Sequence, residues 1–69
     1  MTLSDRELIT LAKDALSEFE FKVWFAKHYR HLGRRQGSVT LRISESQWRD
    51  RLTAAERKMG QALDKEDAA

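Results

Sequence analysis

Seven cationic side chains, six of them arginine, fall between positions 34 and 58: Arg34, Arg35, Arg42, Arg49, Arg51, Arg57 and Lys58. Glu45, Asp50 and Glu56 are the acids of that stretch and leave it at net +4. Residues 1–33 are neutral, and residues 59–69 carry net −2. The whole chain is only +2, so its partners are set by where the charge lies rather than by the total. A guanidinium is a planar fork that matches phosphate oxygens and the guanine edge, so the chemistry on offer is anion binding. Other chemistries lack their parts. His28 and His31 stand three apart but have no third ligand, and there is no cysteine, so no metal is expected. The serines stand at helix starts, where the hydroxyl has a capping job. Gly33, Gly37 and Gly60 are too scattered for a phosphate-cradling loop. Neither an enzyme nor a cofactor is expected of 69 residues with so little room for a pocket.

The basic side chains need a scaffold, and the sequence supplies helix starts. Ser4 with Glu7, Ser17 with Glu20 and Ser44 with Gln47 are capping boxes, each satisfying two otherwise unpaired backbone donors. The first predicts a helix over roughly 5–15. The second, with Leu16 and Phe21 placed as a hydrophobic staple, predicts a helix from 18 to about Leu32, stopped by Gly33. That helix carries Phe19, Phe21, Val23, Trp24, Phe25, Ala26 and Tyr29 and is apolar on nearly every side. Phe21, Phe25 and Tyr29 are expected in the core, and Trp24 is expected to face a partner. After Ser44, the residues Trp48, Leu52, Ala55, Met59 and Leu63 recur at helical spacing and form one buried face, with Trp48 as its anchor. Between them, Val39, Leu41 and Ile43 alternate as in a strand. A lone strand has no partner here, and a short helix capped by Ser38 is favoured.

From Leu16 to Met59 the chain resembles the C-terminal promoter-binding helix-turn-helix of bacterial sigma factors, region four. Leu16-Ser17, Leu32, Leu41, Ile43-Ser44, Trp48, Arg51-Leu52 and Arg57-Lys58-Met59 follow the family's spacing without a gap. The match is closest over the last seventeen of these residues. The chain departs from the pattern at Arg42, where the family usually has glycine, and at Gly37, where it has a buried Ile or Val. The resemblance implies a recognition helix of about 44–59 whose base-facing positions are Glu45, Ser46, Gln47, Arg49 and Asp50. It places Arg34, Arg35, Arg42, Ser44 and Arg51 on phosphates. It also implies RNA polymerase as a partner and suits a small stand-alone protein of phage type.

The expected architecture is all-α: one domain over 1–69 with three or four helices, a helix-turn-helix region over 34–60, and a frayed polar tail over 64–69. The expected function is that of a small DNA-binding transcription regulator on double-stranded DNA. A domain this small binds weakly alone, which favours a homodimer or the polymerase contact. The alternative is a protein-binding adaptor or inhibitor acting through the aromatic second helix. No apolar run is long enough to span a membrane, and Asp5 and Glu7 stand where a signal peptide would be basic, so a cytoplasmic protein is expected.

Overall fold

The computed structural model describes the backbone of residues 3–68 and the side chains of residues 3–65, and it is all-helical. Four helices follow one another: α1 (Asp5–Ala15), α2 (Glu18–His28), α3 (Arg34–Leu41) and α4 (Glu45–Ala68). All three capping boxes form. Ser4 and Glu7 close the start of α1, and Ser17 and Glu20 the start of α2. At α4 the Ser44 N–H donates to Gln47 Oε1 while the Gln47 N–H donates to Ser44 Oγ, both at 3.0 Å.

Helix α2 lies against all of the other three and α4 touches each in turn. At about 1.5 Å per residue, the 24 residues of α4 run the length of a molecule whose longest dimension is 38 Å. Two apolar clusters result. One joins Ala12 and Leu16 to Trp24, Ala55 and Met59. The other joins Val23 and Ala26 to Trp48, with Leu32, Leu41, Ile43 and Leu52 packed around it. Trp48 is therefore the expected anchor of α4.

Trp24 does not face a partner. It is only 4% exposed and sits where α1 and α4 present the small side chains of Ala12 and Ala55. On a helix apolar all round, neighbours on three sides decide which aromatic is covered, and the room left by two alanines admits the largest one. The more exposed ring is Phe19, at 39%.

Helix α2 also ends a turn before the expected stop at Leu32. Tyr29 caps it, His31 takes a left-handed backbone (φ 56°), and the Leu32 N–H donates back to the Ala26 carbonyl at 3.0 Å. Leaving the helix there lets Leu32 pack into the second cluster. Gly33 then becomes the N-cap of α3 and offers no side-chain cap. Ser38 is consequently not a cap: it lies inside α3, 4% exposed, with its hydroxyl donating to the Arg35 carbonyl at 2.9 Å. The strand-like alternation misleads because Leu41 and Ile43 go inward from a helix end and a turn, while Val39 stays 73% exposed. At the far end, α4 extends over the polar tail to Ala68; Ala69 lies outside the described residues.

Candidate nucleic-acid interface

The site grows from the three residues between α3 and α4. Arg42 adopts the left-handed conformation (φ 57°, ψ 45°) that closes a helix most cheaply with glycine. Its N–H donates to the Val39 carbonyl at 3.2 Å, and the next N–H, of Ile43, reaches the Ser38 carbonyl at 2.9 Å. These are the two bonds of a Schellman motif, and they turn the chain sharply so that Ile43 enters the core and Ser44 starts α4. The glycine that the resemblance expects in the turn is replaced by a residue that keeps the glycine's backbone geometry.

Close approach of α3 and α4 rests on Gly37. A Cβ built on Gly37 would land on the six-membered ring of Trp48, against Cη2, Cζ3 and Cε3. Gly37 and Trp48 are both buried, so the bulk missing from α3 is supplied by the indole of α4. The departure at Gly37 and the tryptophan thus explain one another: a larger residue at 37 and an indole at 48 cannot share this space.

With Trp48, Leu52, Ala55 and Met59 inward, helical periodicity turns Ser46, Arg49, Asp50, Thr53 and Arg57 outward, and all five are exposed. Of the expected base-facing residues, Ser46, Arg49 and Asp50 share this face, with Arg49 Nε 3.7 Å from Asp50 Oδ1. Glu45 and Gln47 are exposed but lie on its flanks. Gln47 also engages its Oε1 in the cap, which leaves its amide NH2 as donor and sets the cap against the bidentate grip on adenine, which needs that oxygen as acceptor. Thr53 and Arg57 belong to the face and were not singled out as base-facing. Their signal was the same 3.6-residue period, continued one and two turns beyond Arg49 and Asp50.

The expected phosphate-binding residues Arg34, Arg35, Arg42, Ser44 and Arg51 are all exposed around this face. Three of the five carry internal partners, Ser44 through the cap it shares with Gln47. The Arg34 Nε donates to Glu45 Oε1 at 2.9 Å, and the Arg51 guanidinium stacks 5.3 Å over the Phe19 ring. Stacking leaves the Arg51 charge free and fixes its position. Among the described residues, Arg35, Arg42, Arg51 and Arg57 have no carboxylate partner.

Lys58 reads as available in the sequence but is engaged. Its Nζ donates to Glu20 Oε1 at 2.8 Å, across α4 to the first turn of α2. Glu20 is 5% exposed, and its carboxyl is held below its ordinary value. The Lys58 hydrogen bond is the main cause and the Ser17 backbone N–H the next, against the opposing effect of burial. Lys27 and His28 pair with Glu56 at 3.2 and 3.3 Å on the other side of α4. His28 ends α2 while His31 lies past it in the left-handed turn, so the two do not share a helix face. Among the described residues no three His, Cys, Asp or Glu side chains could hold a metal ion, and no helix is long and apolar enough to cross a membrane.

No family model, curated protein or solved structure matches this chain.

Proposed function

We propose that the chain is a small DNA-binding transcription regulator that lays the first turns of α4 in the major groove. The observation that carries this reading is the outward face of α4, which offers Ser46, Arg49, Asp50, Thr53 and Arg57 beside a tight left-handed turn. An arginine can grip guanine, and a carboxylate can accept from cytosine, while the hydroxyls of Ser46 and Thr53 bond either kind of base edge. Arg35, Arg42 and Arg51 flank the face and would set register on phosphates. One such module is weak, so a second copy or RNA polymerase, the partner implied by the resemblance to sigma region four, completes the complex.

Fluorescence anisotropy of a labelled duplex, titrated at several salt concentrations, tests the reading. Three phosphates neutralised should give log affinity a slope of about −3 against log salt. Absence of binding at low salt with micromolar protein would sink it. The second reading, a protein-binding adaptor, would then stand on the half-buried row of Phe21, Phe25 and Tyr29, whose rings stack 5.7 and 5.1 Å apart along α2.

A further inference from the structure

On the surface assigned above to DNA, one arginine is already occupied. Arg34 opens α3 and Glu45 opens α4, and their 2.9 Å bond spans the turn between the two helices. The side chains are 62% and 52% exposed, so the pair adds little to stability and exchanges readily with solvent. Its weight falls on binding instead. A guanidinium held by a carboxylate has no net charge left with which to displace the cations condensed on DNA. The Glu45 carboxylate is also an anion at the rim of the face that would approach a polyanion, where like charges repel.

We propose that Glu45 is an internal competitor for the DNA backbone: it holds Arg34 away from phosphates and so keeps down the affinity for DNA of arbitrary sequence. The proposal rests on the DNA-binding reading and adds a restraint to it. The surface pairs Lys22–Glu18 and Arg49–Asp50 are each made within one helix. Lys27–Glu56 joins α2 to α4, whereas Arg34–Glu45 ties the first residue of α3 to the first residue of α4, and because both of its side chains are exposed, opening it disturbs no buried contact. Glu45 thereby acts as a positioning residue for Arg34, and removing its charge should convert Arg34 into one more phosphate ligand.

The experiment compares the full chain with Glu45→Gln on one short labelled duplex of mixed sequence. One added phosphate contact predicts a gain of about threefold to tenfold at ~0.1 M salt and a slope steeper by about one. Arg34→Gln should weaken binding only slightly, because Arg34 is held in the unaltered protein. Adding Glu45→Gln to Arg34→Gln should recover much less than the full gain. Circular dichroism should show all three variants as helical as the parent, since both side chains are exposed. If the parent binds DNA but Glu45→Gln matches it in affinity and slope, the competitor role is wrong and the DNA reading survives. An undiminished gain in the Arg34→Gln background would show that Glu45 acts by repulsion alone and would likewise overturn the pairing. Failure of the parent and of Glu45→Gln to bind at low salt would overturn both readings together.

Discussion

Two glycines in helices should respond oppositely to the same added methyl. At Gly60, within α4, nothing lies within 4 Å of a built Cβ, so Gly60→Ala should gain the helix-propensity difference, about 1 kcal/mol. At Gly37 the methyl meets the buried ring of Trp48, and overpacking of about 1–3 kcal/mol outweighs that gain. Thermal melts of the two variants check the pair, and a raised melting temperature for Gly37→Ala would mean that the indole has somewhere to go. Removing the ring by Trp48→Ala should cost about 3–5 kcal/mol, a large part of the stability of a domain this small. Arg42 offers a separation of fold from function. Glycine in its left-handed position relieves about 1 kcal/mol of backbone strain while deleting a proposed phosphate ligand. Arg42→Gly should therefore melt higher and bind DNA with a shallower salt slope, by about one. A loss of stability would place an unrecognised contact on the arginine side chain.

Helices α2 and α4 are held together by apolar burial and by the ion pairs Lys27–Glu56 and Lys58–Glu20, and the buried carboxylate of Glu20 makes their packing sensitive to acid. Because Glu20 is held below its ordinary value of 4.5, its ion pair contributes in full above that pH and is lost as the pH falls through the lower, folded value. Melting temperature should thus hold from pH 7 to about 5 and fall below 4.5. Glu20→Gln keeps the capping geometry with Ser17, loses the charge, costs about 1–3 kcal/mol at neutral pH, and should flatten the acid limb. An unchanged acid limb would move the responsible carboxylate elsewhere. Trp24→Ala belongs to the same packing and should cost about 3–5 kcal/mol, where the sequence alone suggested an exposed aromatic. The contrast shows what was legible. Helix starts were readable because a capping box is written within four residues, and the stripe of α4 because one face repeats from Trp48 to Leu63. The end of α2 was not, because it depends on Leu32 reaching a cluster that α2 builds together with α3 and α4. The start of α3 was hidden by a Gly33 cap that has no side chain to announce it. Cross-helix partners such as Lys58–Glu20, 38 positions apart, leave no local trace. Half of the candidate interface was legible for the same reason: the outward period of α4 is local, while the engagement of Arg34, Gln47 and Lys58 is not.

At the scale of the whole molecule, a net +2 gives little general attraction to a polyanion, so orientation must come from the basic region alone. The molecule is an elongated body of 38 × 18 × 16 Å with α4 along it, and a helix about 10–12 Å across fits a major groove about 12 Å wide. Seated by the start of α4, the body would bring Arg35 and Arg42 to the backbone on the side of α3, and Arg51 on the side of Phe19. Two kinds of arginine then become distinguishable by their effect on specificity rather than on affinity. Arg35→Ala should weaken binding to every duplex alike and reduce the salt slope by about one, since a phosphate contact carries no sequence information. Arg49→Ala should cost about 1–3 kcal/mol on the preferred sequence and little on mixed DNA, since the proposed role of its fork is to read base edges. The preferred sequence can be obtained by repeated selection from a randomised duplex pool with the unaltered protein. Anisotropy titrations of both variants on the selected and the mixed duplex complete the comparison. Equal losses for Arg49→Ala on both duplexes would make the outward face of α4 a phosphate-binding surface, and sequence reading by this helix would have to be abandoned.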